Sequence, residues 1–547
     1  MKKYILILLL FLVLTTRAND DNNRYFEIAK NLEIFTTLYK ELNYNYVDEI
    51  DPNKIMTDGI NKMLEGLDPF TNYITGADID EYRLQTTGKY GGIGARIGRQ
   101  DGLVMITEPY EGYPAQKAGL QAGDKIIEID GKSCKDYSPD EVSELLKGEP
   151  NTPLSLKVIK AVTNKEASYT FNRAEIKIKN VPYFGMLNNN IGYMKLESFT
   201  ENAGKEVQDA LKDLKAQGAK GIVLDLRGNG GGLLNEAITI CNTFVNKGIN
   251  IVSTKGKVTD YNVDYPTLAD PVDVNIPLVI LTDGGSASAS EIVSGSMQDL
   301  DRGVIIGQNT YGKGLVQITK PIAYKSQLKV TISKYYIPSG RCIQRIDYSH
   351  RDDDGNANAV PDSLRKSFKT KNGRIVKDGA GIEPDIKMES HQWGIITATL
   401  FRDYFIFDYA NKYFVEHPTL RDGNKFKLTD AEYDDFVNAL KGKDYDYTTY
   451  SEDALAELKK DVQKDSVSAS VMSLINDLEQ KIKHDKEQDI YKYKNEIKQL
   501  LQQEIVSRYN YEAGRIENAL QSDEEVKKAV DILSNTGEYH KILGINN

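Results

Sequence analysis

The stretch DGGSASASEI, Asp283 to Ile292, packs Ser286, Ser288 and Ser290 into five residues that alternate with alanine. Two readings apply to it. Ser288-Ala289-Ser290-Glu291 has the S-x-x-E spacing of a capping box, so Ser288 starts a helix and Glu291 supports that start. A serine at a helix start after a strand also stands exposed at a sheet edge, beside first-turn N–H groups that favour developing negative charge. Acyl transfer needs that combination of an accessible hydroxyl and amide donors aimed at an oxyanion. The two readings are compatible. The stretch is not the G-x-S-x-G elbow of the α/β-hydrolases, because Ser290 replaces the second glycine.

A nucleophilic serine needs a base. The five histidines, His350, His391, His417, His484 and His540, all lie outside residues 190–334, the segment that holds these serines. A Ser-His-Asp triad within that segment is excluded; only His350 or His391 folding back would restore one. A lysine is the alternative. Asn309-Thr310-Tyr311-Gly312-Lys313-Gly314 sets Lys313 between two glycines at a turn between strands. A lysine ordinarily titrates near ~10.4 and must be brought down by burial before it takes a proton at neutral pH. On its own, Gly-Lys-Gly fits a surface turn equally well. A third stretch, Asp225-Leu226-Arg227-Gly228-Asn229-Gly230-Gly231-Gly232, is a glycine turn from strand to helix. No Gly-Lys-Ser/Thr follows it, which disfavours a phosphate loop. An amide of this turn is a candidate second oxyanion donor opposite Ala289.

Elements must hold these stretches in place. From Asn190 to Lys334 strands and helices alternate: strands at 191–196, 221–226, 276–282, 304–306, 316–318 and 328–332, helices at 203–216, 233–245 and 288–300. That alternation predicts a layered α/β core, with both glycine-rich stretches at carboxyl ends of strands, where such folds bind ligands. Residues 90–160 have short strands, glycine turns and an Asp130-Gly131 hairpin signal. Residues 24–82 read as helical, with Phe26, Ile28, Leu32, Phe35, Leu38 and Leu42 at helical spacing. After Trp393 the chain is helical and charged, with one apolar stripe through Val471, Leu474, Ile475, Leu478 and Ile482. A second runs through Ile490, Tyr493, Ile497, Leu500, Leu501 and Ile505. Both fit core or subunit contacts better than a cofactor box.

The totals bound the function. A chain of 547 residues needs about three or four domains. A net charge of −11 with no basic block argues against a nucleic-acid partner. The start, MKKYILILLLFLVLTTRAND, has two lysines, an apolar run too short to span a bilayer and a small-residue site at Ala18. It reads as a secretory signal cleaved after Ala18, with a retained anchor as the alternative; no cysteine follows to carry a lipid. The export expectation favours a periplasmic or other cell-envelope location. Cys134, Cys241 and Cys342 are scattered, so neither a disulfide framework nor a metal site is expected. His350 to Gly355 only superficially resembles a calcium loop, since His350 stands where an aspartate is needed.

Two resemblances organise these observations. Tyr90-Gly91-Gly92-Ile93-Gly94, Pro114 to Leu120 and Gly123-Asp124-Lys125-Ile126 resemble a PDZ domain, which implies binding of a peptide C-terminus at a sheet edge, with Gly91, Gly92, Ile93 and Gly94 as the carboxylate loop. Asp225–Gly232, Ser286–Glu291 and Thr310–Gln317, in that order, resemble the C-terminal processing peptidases, also called tail-specific proteases. Tyr335 to Arg341 and Gly381-Ile382-Glu383-Pro384-Asp385 are similar to later motifs of that family. The likeness runs from about residue 25 to 390.

It implies a crotonase- or ClpP-like α/β core with an inserted PDZ domain and helical ends. The expected domains are a signal peptide 1–18, a helical region 19–87, a PDZ domain 88–162, a protease core 163–390 and a helical domain 391–547. It implies Ser288 as nucleophile, Lys313 as general base and Gln317 as the residue orienting the lysine, with no metal or organic cofactor. Ala289 and Gly231 are the implied oxyanion amides, Gly230 the alternative; Ser286 and Ser290 are then structural. Gly228 and Gly230 stand where many relatives have Asn and Pro, without loss of a required side chain. Substrates would be proteins or peptides with free, apolar C-termini, and an adaptor or a homo-oligomer is compatible with the sequence. The competing expectations are a catalytically silent PDZ scaffold and, on core similarity alone, an acyl-CoA enzyme.

Overall fold

Six strands build the core sheet: β1 (Tyr183–Met186), β2 (Ile191–Lys195), β3 (Gly221–Asp225), β4 (Leu278–Thr282), β5 (Val304–Gly307) and β6 (Ile386–Lys387). In this computed structural model, which describes residues 2–465 and 469–545, they lie side by side in chain order. β1 runs antiparallel to β2, and every other pair is parallel. β3 and β4 are buried at every residue, as strands covered on both faces must be. The crossovers contain α1 (Ala203–Ala216), α2 (Leu234–Phe244) and α3 (Ala289–Asp299). Parallel strands laid down in order with right-handed crossovers put all such helices on one face. Accordingly Ile222, Leu224 and Ile280 pack with Leu211, Ile240 and Val293.

The alternate residues Val223, Val279, Leu281 and Ile306 face the other way. The far end of the chain covers them. α4 (Glu524–Ser534) and α5 (Thr536–Ile542) lay Val526, Ala529, Ile532, Leu533 and Tyr539 on this second face. The helical region expected from 391 to the end therefore divides. Its last two helices are a layer of the core, because the sheet has a second apolar face and no crossover helix to cover it. The rest has its own core, where Ile497, Leu500, Leu501 and Ile505 pack against Ile406, Tyr433 and Phe436. Of the first stripe, Ile475 is buried, while Val471, Leu474 and Leu478 stay exposed.

The PDZ sheet has the order Ala95–Gln100, Leu103–Pro109, Lys125–Ile129, Pro153–Ile159, Glu166–Asn172. It extends past residue 162, because Glu166–Asn172 pairs along the whole of Pro153–Ile159 and sets Ala167, Tyr169 and Phe171 against the domain's core. Ala95–Gln100 is an end strand. The helix Pro139–Leu146, capped by Ser138 and Glu141, buries Val142 and Leu146 in the same core as Ile93.

Residues up to Ile74 and Ile318–Thr331 form a separate unit. It holds the helix Lys2–Asn45, the helix Pro52–Glu65 capped by Asp51, and the strand Asn72–Ile74 antiparallel to residues 327–329. Phe26, Leu32, Phe35 and Leu38 of the first helix are exposed. The side chains of the expected signal segment lie outside the described ones. Among the described residues no helix is long and apolar enough to cross a membrane.

Candidate active site

The three serines of the opening stretch have different surroundings. Ser286 is fully buried, and its hydroxyl donates to the carbonyl of Leu226 at 2.8 Å. Ser290 is fully buried too, and its hydroxyl donates to the carbonyl of Asn229 at 2.8 Å. Both stitch the serine loop to the glycine loop. Ser288 alone of the three is only half-buried. It is the N-cap of α3 and has φ 55° and ψ −111°, a backbone conformation a non-glycine residue holds only under constraint.

Glu291 supplies part of that constraint. It is fully buried, and its Oε2 accepts the Ser288 N–H at 2.7 Å and the Lys313 N–H at 2.9 Å. Its Oε1 accepts the Gly312 N–H at 2.7 Å and the Thr310 hydroxyl at 2.6 Å. Burial pushes the Glu291 carboxyl up to about 7 against the pull of these four donors. On another side the hydroxyl of buried Tyr335 donates to the Lys313 carbonyl at 2.7 Å and lies 3.2 Å from that of Ser288. The backbones of Ser288 and Lys313 are thus joined twice, through Glu291 and through Tyr335.

The glycines beside Lys313 have a steric cause. A Cβ on Gly312, at φ 88°, would lie 2.5 Å from the Cβ of Arg345, and one on Gly314 would lie 2.8 Å from the amide nitrogen of Gln344. Gly312 also accepts the Arg345 N–H, and Gly314 donates to Gln344 Oε1. Lys313 itself is half-buried. Gln317 lies four residues further on, in the strand Leu315–Pro321, and is also half-buried.

The glycine loop runs from the end of β3 and comes against Ser288. A Cβ on Gly231, at φ 97°, would lie 2.7 Å from the Ala287 carbonyl and 2.9 Å from both the Ala289 nitrogen and the Ser288 Cβ. Only glycine allows that approach. The Gly231 amide donates to Asn229 Oδ1 at 2.9 Å. Asn229 is fully buried; its amide reaches the Leu196 carbonyl, and its own carbonyl takes the Ala287 N–H and the Ser290 hydroxyl. At the head of the loop Asp225 accepts the Tyr193 hydroxyl and pairs with Arg227 and Lys195, and these two cations hold its carboxyl below the usual range despite complete burial.

In the PDZ domain Gly91 and Gly92 close a strand that pairs with residues 174–177. A Cβ on Gly91 would meet the Gly148 carbonyl at 2.0 Å. Ile93 is a core residue whose carbonyl accepts from Ala115, and Gly94, at φ 72°, accepts from Tyr110. The four residues therefore form a tightly bent lead into the free-edged strand Ala95–Gln100.

Sequence reasoning credited Glu291 with a helix start and missed its reach to the lysine turn. It named Tyr335 as part of a motif without a task, and gave Asn229 none. The S-x-x-E spacing was the available signal for Glu291.

Three family models match separate segments of the chain. The family model "Peptidase family S41" matches residues 190–349, "PDZ domain" matches 105–160, and "Probable PDZ-protease, C-terminal helical domain" matches 396–533. A carboxy-terminal-processing protease of Bartonella bacilliformis is 36% identical over 333 residues, covering 60% of this chain and 75% of that protein. The carboxy-terminal processing protease CtpA of Bacillus subtilis is 34% identical over 309 residues, covering 56% of this chain and 65% of that protein. Among solved structures, a photosystem II D1 C-terminal processing protease is 26% identical with a TM-score of 0.35, covering 65% of this chain and 92% of its own. The chain therefore belongs to peptidase family S41, as a serine-type carboxy-terminal processing protease with an embedded PDZ domain.

Proposed function

We propose that the chain is an exported endopeptidase with a Ser-Lys dyad. Ser288 Oγ attacks the carbonyl carbon of the scissile peptide bond while Lys313 Nζ takes the hydroxyl proton. The C–N bond then breaks, and the lysine returns the proton to the leaving amine. Water, deprotonated by the same lysine, hydrolyses the acyl-enzyme. Gln317 orients Lys313. The Ala289 amide is one oxyanion donor and Gly231 the second, once its bond to Asn229 is exchanged; Gly230 is the alternative.

One observation carries this reading. Ser288 alone of its three serines keeps exposure, in a constrained conformation at a helix start, with its backbone tied to that of Lys313 through Glu291. The PDZ domain supplies recognition. A substrate tail would add as a strand to the edge of Ala95–Gln100, its carboxylate at Gly91 to Gly94, beside a core of Ile93, Val142 and Leu146 that suits an apolar terminal side chain. The cleaved signal at Ala18 directs the chain to the bacterial envelope, and the exposed apolar face of the first helix suits a homo-oligomer or an adaptor.

The test is cleavage of an unfolded protein with an apolar C-terminus by the full chain, by Ser288→Ala and by Lys313→Ala, each checked for folding. The full chain cuts and both variants do not. Cleavage by Ser288→Ala at the parent's rate overturns the assignment.

A further inference from the structure

Glu525, in the first turn of α4, divides one carboxylate between two loops. Its Oε2 accepts Nη1 of Arg227 at 2.7 Å, and its Oε1 accepts Nε2 of Gln308 at 2.5 Å. Arg227 stands at the head of the glycine loop that approaches Ser288. Gln308 follows β5 and opens the turn that ends at Lys313. Its backbone N–H is bonded to the carbonyl of Thr282 at 2.9 Å, at the end of the strand leading to Ser288. Asp523 completes the clamp. It caps α4 through the N–H groups of Glu525 and Val526, and its two oxygens take Nη2 of Arg227 at 2.8 Å and Nη1 at 3.2 Å. Arg227 is bonded on its other edge to Asp225.

We propose that Glu525, with Asp523, is a positioning residue for the peptidase reaction. Through Arg227 and Gln308 the last helices of the chain hold the glycine loop and the lysine turn at a fixed spacing around Ser288. The inference rests on the Ser288–Lys313 reading. Its physical basis is the glycine content of 228–232, which leaves that loop many conformations unless its ends are fixed. Charge-assisted bonds fix them with direction as well as strength, and a displacement of about 1 Å at a reacting group suffices to slow chemistry strongly. Adhesion of α4 to the sheet does not need the clamp. Val526, Ala529, Ile532 and Leu533 already provide a buried apolar contact.

The test uses the full chain, Glu525→Gln, Glu525→Ala, Asp523→Asn and Ser288→Ala. kcat and KM are measured on a fluorogenic peptide with an apolar C-terminus, alongside melting temperature and the rate of Ser288 labelling by a fluorophosphonate. Loss of one charge-assisted bond at the loop head lowers kcat and the labelling rate of Glu525→Gln by about ten- to a hundredfold, with KM and melting temperature little changed. A merely structural clamp would instead lower the melting temperature and leave kcat per folded molecule and the labelling rate within about twofold of the parent; that result overturns the proposal. If Glu525→Ala fails to fold, the isosteric Glu525→Gln decides on the same criteria. If Ser288→Ala still cleaves, or the parent is not labelled at Ser288, the underlying reading falls and the positioning role with it.

Discussion

One carboxylate oxygen of Glu291 accepts the backbone N–H of Ser288 at 2.7 Å and that of Lys313 at 2.9 Å. The proposed nucleophile and base therefore share an anchor that does no chemistry itself. Glu291→Gln keeps the volume but turns an NH2 group toward a shell made entirely of donors. At least one buried N–H loses its acceptor, at a cost of about 1–3 kcal/mol. The expected outcome is a drop in kcat of at least about tenfold with Ser288 still intact, read by steady-state kinetics and by mass spectrometry of the folded variant.

The same carboxyl makes stability and activity respond to pH in opposite directions. Its folded value of about 7 lies above the ordinary 4.5, so folding binds its proton. That contribution is fully present below pH ~4.5 and is lost as pH rises toward ~7, about 3 kcal/mol in all. The ionised form, however, is the one that accepts all four donors, so activity rises through the same window. Urea denaturation at pH 5 and 7.5 should show the parent losing stability relative to Glu291→Gln as pH rises. The pH–rate profile of the parent should carry an ionisation near 7 that the variant lacks. Parallel pH dependences in parent and variant would exclude Glu291 as the group responsible.

Neighbouring glycines of the loop separate steric need from mere flexibility. Gly231 has φ 97°, and a Cβ there would press on Ala287, Ala289 and Ser288, whereas a Cβ on Gly230 meets nothing within 4 Å. Gly231→Ala is expected to abolish cleavage and to cost about 1–3 kcal/mol in stability. Gly230→Ala should leave stability within about 0.5 kcal/mol. Cleavage assays and thermal melts of the two variants side by side check this.

Local signals explain what was legible beforehand. The helix Ala203–Ala216 was readable end to end and the strand at 221–226 to within one residue, because their apolar patterns are local and Gly218 and Gly228 flank them. Ser288 as a helix start was readable from the S-x-x-E spacing alone. The bonds from Glu291 to Gly312 and Lys313 were not, since they arise only when the turn after β5 is folded beside α3. Glu166–Asn172 alternates small or aromatic residues with polar ones, yet so close to a domain end the pattern did not declare which sheet it joins. Val526, Ala529, Ile532 and Leu533 mark an amphipathic helix, but nothing local says that its partner is a face of the sheet some 250 residues earlier.

That long-range contact gives the last prediction. Ile532 is fully buried on the second face of the sheet, and the Tyr539 hydroxyl bonds the N–H of Leu278 at 3.0 Å, just where β4 begins. Ile532→Ala opens a cavity between α4 and strands β3 and β4, at an expected cost of about 2–5 kcal/mol. Tyr539→Phe leaves a buried N–H without that acceptor, at about 1–3 kcal/mol. Leu474→Ser, on the exposed part of the first stripe, should stay within about 0.5 kcal/mol. Urea melts of the three variants distinguish a core layer from a detachable appendage. If α4 and α5 were an appendage, Ile532→Ala would shift only a minor transition and leave the unfolding of the catalytic core unchanged; as a layer of that core, it lowers the main transition itself.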